Sequence, residues 1–347
     1  MNFYNITHPY YCGIDLHARS LYVCIIDQKG NTCIHKEIPA SPDKLLKLIE
    51  PYIGNIIVGV ECMHCWYWVA DFCDEIGVDF ILGHALYMKA IHGGKAKNDR
   101  IDSYKIANLI RGGNFPLAHV YPKEMRATRD LLRRRMKIVR HGADLKAHIV
   151  NTTSQYNLPP NKVNLKNVSA REQLKSTFPD VSVQKNIDLD LVILDCYAKQ
   201  LAKVEWFIAK QARQHNPVHL HLLKSIHGVG PILSLTVIYE IGDIRRFESV
   251  QKFASYARLV KCKAESAGKS YGTQGNKIGN AHLKWAFSEM AATYLRGNDR
   301  AQKYLLSLQK RMSKAKALSA LAHKLGRCIY FMLKNESVFD ENRFLKG

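Results

Sequence analysis

The stretch IIVGV at residues 56–60 decides the fold of the first third of the chain. An unbroken apolar run of this length is typical of a central strand that is covered on both faces. Working outward from it, apolar runs and turn signals predict strands at 10–15, 21–27, 32–38 and 78–82, and helices at 43–50, 66–77 and 101–111. Three strands in hairpin succession, followed by alternating helices and strands, predict a mixed sheet flanked by helices.

The middle of the chain has the pattern of two long helices around a loop. One helical face of residues 121–150 carries the apolar side chains Met125, Leu132, Met136, Val139, Ala143 and Val150. In residues 187–214 a seven-residue spacing relates Ile187, Leu194, Leu201 and Ile208, with Tyr197 and Val204 between them. This spacing predicts a coiled-coil hairpin, and an ordinary helical bundle is the alternative. Residues 151–180, which include Pro159-Pro160, have the polar composition of a connector.

The last third, from residue 218, is mostly helical, with a Gly-rich segment at 267–279 and a basic helical tail at 300–344. The fold class we predict is therefore α/β plus α, in three domains. Residues 1–120 form the mixed-sheet domain, 121–216 the helical coiled-coil region with its connector, and 217–347 a mainly helical domain.

The charge of the chain indicates a polyanionic partner. Among 347 residues, 51 Lys and Arg face 30 Asp and Glu, which gives a net charge of +21. Each cation that meets a phosphate releases a condensed counterion, so nucleic acid is favoured over a ribosomal or anionic membrane surface. We see neither a membrane-spanning apolar run nor a secretory signal, and nine scattered cysteines fit a reducing, cytoplasmic location.

Four acids stand where strands end or helices begin. Asp15 and Glu61 close two predicted strands, whereas Asp99 and Asp102 share the first turn of a predicted helix. If the strands are neighbours, the four carboxylates converge and need divalent cations such as Mg²⁺ to offset their repulsion. Each acid alone is more typical of a turn or a helix cap. The combination and the strand order match a ribonuclease-H-like nuclease core.

Several motifs resemble one known family, the DEDD transposases of bacterial insertion sequences in the IS110 and IS1111 group. In the first half, GIDLH at 13–17 and KNDRID at 97–102 resemble the family's RuvC-like domain. In the second half, the similar segments are IHGVGP at 226–231, FASYARLV at 253–260 and GNKIGNAHLK at 275–284.

The resemblance implies roles for particular residues. The family's metal-binding acids correspond to Asp15, Glu61, Asp99 and Asp102, with Mg²⁺ as the cofactor and Mn²⁺ as a possible substitute. Its catalytic serine, usually in a Ser-Ser-Gly context, corresponds to Ser266, because Ala267 replaces the second serine. Ser270 is the fallback nucleophile. A serine that attacks a phosphodiester stores the bond energy as phosphoserine, so rejoining needs no ATP.

The resemblance also implies partners. Family members act on donor and target DNA, use a non-coding RNA from the element as a guide, and build each active site from the acids of one subunit and the serine of another. This implies a homo-oligomer, a dimer or tetramer. The basic run Arg133-Arg134-Arg135 is a plausible RNA contact, although arginines on a coiled coil are often merely solvated.

Two further features fit DNA binding. The turn at Gly228-Val229-Gly230 is typical of a helix-hairpin-helix phosphate cradle, although a plain inter-helix turn explains it equally well. Basic side chains around the serine, at Lys261, Lys263, Lys269 and Lys277, would contact phosphates or remain solvated.

Two other functions compete with a transposase. A structure-selective, Mg²⁺-dependent nuclease such as a Holliday-junction resolvase would use the same acids without a covalent intermediate. A non-catalytic nucleic-acid-binding protein on a decayed nuclease fold would not need the acids, and the presence of all four argues against it.

Overall fold

The computed structural model describes residues 2–92, 98–158, 165, 167–267, 269–274 and 278–346. The chain folds into two compact units, Met1–Lys123 and Glu124–Gly347. Of the segments singled out in the sequence, Lys97, Pro159-Pro160, Gly268 and Gly275-Asn276-Lys277 lie outside the described residues. Within the described parts, no helix combines the length and the apolar character needed to cross a membrane.

A seven-stranded mixed sheet forms the centre of the first unit. Its strands are β1 (Phe3–Tyr4), β2 (Tyr10–Leu16), β3 (Ser20–Asp27), β4 (Thr32–Pro39), β5 (Ile56–Glu61), β6 (Asp79–Gly83) and β7 (Phe115–Ala118). They lie in the order β1-β7-β6-β5-β2-β3-β4. Strands β2, β3 and β4 form an antiparallel meander, and β5 and β6 run parallel to β2. The predicted mixed sheet is confirmed, and β1 and β7 add strands that the sequence did not predict.

Helices cover both faces of this sheet: α1 (Pro42–Ile49), α2 (Tyr67–Glu75), α3 (Ala85–His92) and α4 (Asp99–Arg111). A single 3-10 turn, Glu50–Tyr52, follows α1. One apolar layer joins Ile14 and Val60 of the sheet to Val69 of α2. The other layer joins Ile57 to Ile110 of α4. All five side chains are buried, and each such burial contributes about 1.5–3 kcal/mol to the free energy of unfolding.

Two long antiparallel helices begin the second unit, joined through a short one: α5 (Lys123–Gln155), α6 (Val168–Ser176) and α7 (Val181–His215). Arg135 Nε donates to Oε1 of Glu205 at 2.8 Å near one end of the pair. Ile149 and Ile187 share a buried cluster near the other. The predicted helical hairpin is confirmed, and the heptad positions Ile187 and Ile208 are fully buried.

Two details of the predicted hairpin are wrong. Val139, Ala143 and Val150 of α5 are exposed, and Ile149 is buried in their place. The buried face passes through Gly142, where a Cβ would lie 3.6 Å from Cδ2 of Leu194, so the helices approach along a stripe one residue away. Residues 151–180 are also more than a connector. They include the end of α5 and the whole of α6, with Phe178 buried against α7.

The rest of the second unit is mostly helical, as predicted. It contains α8 (Pro217–Lys224), α9 (Pro231–Ile241), α10 (Val250–Tyr256), α11 (Ala281–Tyr294), α12 (Asp299–Gln309), α13 (Lys314–Asn335) and α14 (Glu341–Lys346), with a 3-10 turn at Ile244–Arg246. Fully buried aromatic side chains hold its core: Tyr239, Phe253, Phe287 and Tyr330. Part of the Gly-rich segment is regular, because β8 (Cys262–Ser266) and β9 (Lys269–Gln274) form an antiparallel hairpin.

Candidate active site

Asp15 and Glu61 close two neighbouring parallel strands at the same edge of the sheet. The register pairs Ile14 of β2 with Val60 of β5, so the two acids that follow stand side by side at the strand ends. Because side chains alternate along a strand, both belong to the face that carries Gly13 and Gly59. Asp15 is largely buried, with 12% of its side chain exposed.

Helix α4 packs on the same face, and it lies unusually close to the sheet at Gly13 and Gly59. A Cβ on Gly13 would lie 2.3 Å from both the nitrogen of Ala107 and the carbonyl oxygen of Ser103. A Cβ on Gly59 would lie 2.5 Å from Cδ1 of Ile110. Each glycine stands two residues before an acid, so the absence of side chains there lets α4 lie against the sheet and brings its first turn to the strand ends.

Asn98 is the N-cap residue of α4. Its Oδ1 accepts a hydrogen bond from the backbone N–H of Arg100 at 2.9 Å, as an N-cap does. The helix therefore begins at Asp99, two residues earlier than predicted, and Asp99 and Asp102 share its first turn. Lys105 Nζ lies 3.3 Å from Oδ1 of Asp102. Acids at a helix N-terminus are stabilised by the helix dipole.

His17 is a member of this cluster that sequence reasoning missed. Its Nε2 lies 3.4 Å from Oδ2 of Asp15 and 3.3 Å from Oδ2 of Asp99. Among the described residues, these three side chains each offer one ligand atom, and all three atoms lie within 4.8 Å of one another. The signal was in the sequence, because His17 follows Asp15 at the two-residue spacing that returns a side chain to the same face of an extended chain.

The pKa of the Asp15 carboxyl group is shifted by the charged side chains around it. Burial raises the pKa of the Asp15 carboxyl, the charges of Asp99 and Asp102 raise it further, and neighbouring His17 lowers it. Two of the other predicted acids, Asp99 and Asp102, thus influence the Asp15 carboxyl group. Glu61 stands at the adjoining strand end, outside the group of three close ligand atoms.

The predicted serine lies in the second unit, at the tip of the β8–β9 hairpin. Ser266 is the last residue of β8 and pairs with Lys269 of β9. The next residue, Ala267, has φ of 50°, a left-handed conformation that is costly for residues other than Gly, Asn and Asp. Ser270, the fallback nucleophile, pairs with Glu265.

Hydrogen bonds link the two ends of the segment that carries this hairpin, at the end of α10 and at the start of α11. The backbone N–H of Asn280 donates to the carbonyl oxygen of Tyr256 at 2.6 Å. Arg258 Nε donates to the carbonyl oxygen of Gly279 at 2.9 Å. Gly279 has φ of 95°, and a Cβ there would lie 2.7 Å from the Tyr256 oxygen, so both the conformation and the close approach favour glycine.

Asn280 also joins this base to a buried charge. Its Nδ2 donates to Oε2 of Glu240 at 2.7 Å, while its Oδ1 caps α11 by accepting from the N–H groups of His282 and Leu283. Glu240 is 2% exposed. Burial raises its pKa, but hydrogen bonds and charge from Arg133, the charge of Arg129 and the Asn280 hydrogen bond together hold it below its usual value.

The three consecutive arginines of α5, residues 133–135, have different surroundings. Arg133 donates from Nε to Oε1 of Glu240 at 2.6 Å, and from Nη2 to Oε2 at 2.8 Å. Arg135 is paired with Glu205. Arg134 is exposed. Arg133 and Arg135 are therefore engaged within the fold, and an RNA contact at Arg134 stays a prediction.

The turn between α8 and α9 has a packing role. Gly228 has φ of 74°, and a Cβ there would lie 2.4 Å from the carbonyl oxygen of Thr293 in α11. The N–H of Val229 donates to the carbonyl oxygen of Ile226 at 3.1 Å. That N–H is therefore used within the turn, and a phosphate cradle at this turn stays a prediction. Of the lysines near the serine, Lys261 and Lys269 are exposed.

Known proteins match both units. Residues 12–158 match a family model of IS110 DEDD transposases. Residues 220–306 match the model of the transposase IS116/IS110/IS902 family. The transposase for insertion sequence element IS1111A of Coxiella burnetii is 20% identical over 339 residues, which cover 94% of this chain and 90% of that protein. The first model covers most of the sheet unit and runs on through α5, and the second lies in the helical unit; in agreement with the predicted order of the motifs, the chain belongs to the IS110/IS1111 family of DNA transposases.

Proposed function

We propose that this transposase cuts and rejoins DNA through a phosphoserine intermediate at Ser266, assisted by a divalent metal at the sheet edge. The observation that supports it best is the convergence of Asp15 with the first turn of α4: Nε2 of His17 lies within 3.4 Å of both Asp15 and Asp99, and the charges of Asp99 and Asp102 act on the Asp15 carboxyl group. Carboxylates gathered in this way need a cation, and oxygen ligands suit Mg²⁺, with Mn²⁺ as a substitute.

The metal-binding role is assigned to Asp15, Glu61, Asp99 and Asp102. A bound ion would neutralise charge that develops on the phosphodiester during cleavage. The protein positions these ligands through the parallel register of β2 and β5 and the Asn98 cap of α4. The half-exposed Asp99 leaves one side of the cluster open, so a DNA phosphate has access to it.

The serine step conserves a phosphoester bond. Ser266 Oγ loses its proton and bonds to phosphorus, and the bond from phosphorus to the 3′ oxygen breaks, which releases a 3′-hydroxyl. Another 3′-hydroxyl then attacks the phosphoserine, and the serine hydroxyl is regenerated. The position of Ser266 at the tip of a hairpin with a fastened base supports this role, because a tip can reach into a DNA strand while its base stays fixed.

The partners follow from the same assignment. We propose donor and target DNA as substrates, an element-encoded guide RNA that selects them, and a homo-oligomer in which the acids of one subunit and the serine of another act on one linkage. The net charge of +21 supports a polyanionic partner.

The test compares variants in a cleavage assay on DNA that carries the element's ends, with its transcript and Mg²⁺. We expect Asp15→Asn and Asp102→Asn to lower the cleavage rate by about 100-fold or more. The matched control is Asp43→Asn, an exposed acid in the first turn of α1 that should cleave normally. Cleavage by Ser266→Ala at the full rate, with loss in the acid variants, would instead indicate a nuclease without a covalent intermediate.

A further inference from the structure

We infer that His17 is a direct nitrogen ligand of the metal that Asp15 and Asp99 bind, and that this subsite prefers Mn²⁺ to Mg²⁺. The inference rests on the proposed metal site and adds to it a ligand outside the four acids. Its basis is the position of one atom, because Nε2 of His17 lies 3.4 Å from an oxygen of Asp15 and 3.3 Å from an oxygen of Asp99.

The local fold fixes where His17 stands. Strand β2 ends at Leu16 and β3 begins at Ser20, so residues 17–19 form the connection between the strands. The backbone N–H of His17 donates to the carbonyl oxygen of Ser20 at 3.0 Å and closes this turn. The imidazole therefore projects from a hydrogen-bonded corner beside the first turn of α4, and a ligand held in this way is positioned before metal binds.

The distances from Nε2 of His17 to the two carboxylate oxygens are close to those within a coordination shell, and the three residues offer ligand atoms that all lie within 4.8 Å of one another. Two ligands at right angles, each about 2.1 Å from an ion, stand about 3 Å apart. The observed separations of 3.3 and 3.4 Å are close to this. The Nε2 atom is buried and makes no hydrogen bond of normal geometry to any described residue, so its lone pair is available to an ion between the carboxylates.

A protonated His17 that forms ion pairs with Asp15 and Asp99 explains the positions of these three side chains less well than a bound metal ion does. Its Nε2 carries one N–H, which points along the ring and can serve one carboxylate but not two. A divalent ion between the three atoms satisfies both carboxylates and the imidazole together. The outer parts of the group remain accessible, with 42% of the His17 side chain and 50% of Asp99 exposed, so water or a phosphate oxygen can complete the shell.

The metal preference follows from the donor atoms. Mg²⁺ strongly prefers oxygen ligands and near-ideal octahedral geometry. An imidazole nitrogen instead favours first-row transition ions, since affinity at mixed nitrogen and oxygen sites increases along the series that begins with Mn²⁺. A subsite of two carboxylates and one imidazole should therefore bind Mn²⁺ more tightly than Mg²⁺, and removal of the imidazole should reduce that difference.

The test is metal binding by the full chain without DNA, with Mn²⁺ as the probe. Electron spin-echo modulation of the Mn²⁺ signal should show a directly bound nitrogen in the native protein and in the His221→Gln control, an exposed histidine of α8. The nitrogen signal should be absent in His17→Gln and in His17→Ala. We also expect His17→Gln to weaken Mn²⁺ binding by about 10-fold or more, with a smaller loss for Mg²⁺.

One outcome would contradict the role of His17 alone, and another would contradict the metal site of the acids. If Mn²⁺ binding requires Asp15 but shows no bound nitrogen, and His17→Gln binds both metals as the native protein does, the role of His17 is wrong and the acid site stands. If Asp15→Asn binds Mn²⁺ as the native protein does, the acid site itself is wrong. Circular dichroism of each variant separates either result from a loss of folding.

Discussion

A Cβ atom on Gly13 would lie 2.3 Å from the backbone nitrogen of Ala107, so β2 and α4 meet backbone to backbone. This contact fixes the distance between α4 and the sheet. It therefore also sets where the first turn of the helix, with Asp99 and Asp102, stands relative to Asp15.

The two glycines of this face should differ in their tolerance of substitution. In Gly13→Ala the new methyl group meets backbone atoms that cannot rotate away, and we expect a loss of about 3 kcal/mol in the free energy of unfolding, with weaker Mn²⁺ binding. In Gly59→Ala it meets the end of the Ile110 side chain at 2.5 Å, which can change rotamer, so we expect a loss of about 1 kcal/mol. Urea unfolding and Mn²⁺ titration measure both, and equal losses would contradict the packing argument.

The buried carboxylate of Glu240 predicts a specific acid sensitivity. Its pKa is lowered in the folded protein, so the stability it contributes is present above the ordinary value of 4.5 and is lost as the pH falls through the folded pKa. Glu240→Gln removes the negative charge that compensates the charges of Arg129 and Arg133 in this buried cluster, and we expect a loss of about 3–5 kcal/mol near neutral pH.

Thermal unfolding from about pH 7 to about pH 3 checks this prediction. The native protein should lose stability more steeply on acidification than Glu240→Gln. Glu248→Gln is the control, because Glu248 pairs with Lys252 on the surface and its replacement should leave the neutral-pH stability unchanged. Parallel curves for the native protein and Glu240→Gln would contradict the assignment.

The effect of a substitution at Asn280 on stability should depend on the charge of the new side chain as well as on the loss of the helix cap. Asn280→Ala removes the cap and one donor to Glu240, which should cost about 1–2 kcal/mol. Asn280→Asp keeps the cap acceptor but places a second carboxylate 2.7 Å from Oε2 of Glu240, so it should cost more, and the excess should shrink as the pH falls.

The matched control for Asn280 is Asn216→Asp, since Asn216 caps α8 through the N–H of His219 and its replacement should be well tolerated. Both Asn280 variants should also lower recombination, because the base of the serine hairpin is fastened there. Normal recombination in a stably folded Asn280→Ala protein would show that this fastening does not position the serine.

The arginines of α5 should divide into two classes in nucleic-acid binding. Arg134→Ala should leave stability unchanged and lower the slope of log affinity against log salt by about 0.9, the effect of one lost phosphate contact on duplex DNA. Arg133→Ala should destabilise the fold instead, because Glu240 loses two hydrogen bonds. Fluorescence anisotropy at several salt concentrations checks the slope, and an unchanged slope in Arg134→Ala would remove this residue from the interface.

The sequence predicts the sheet well, and also the positions of Asp15 and Glu61 at strand ends, because strand ends and apolar runs are local signals. Glu61 follows an unbroken apolar strand, and Asp15 closes a run that pairs beside it. Strand β7 was not predicted because it contains Pro116, which lacks a backbone donor, and its pairing depends on distant residues such as Phe3.

Other features depend on contacts that no local pattern contains. Helix α6 lies in a polar segment, and burial of Phe178 against Ile187 of α7 stabilises it. The buried stripe of α5 lies one residue from the predicted one because it passes through Gly142, which contributes no side chain to a pattern of apolar residues. His17 was missed because histidine is common on surfaces, and its significance depends on where α4 begins.

The most direct measurement of the central proposal is to trap and map the protein–DNA bond. The full chain is incubated with DNA of the element's ends, its transcript and Mn²⁺ or Mg²⁺, and the denatured adduct is digested and sequenced by mass spectrometry. We predict a covalent adduct whose phosphate is on Ser266, lost in Ser266→Ala and in Asp15→Asn. Recombinant DNA formed without any adduct, or an adduct on a residue outside the β8–β9 hairpin, would contradict the mechanism.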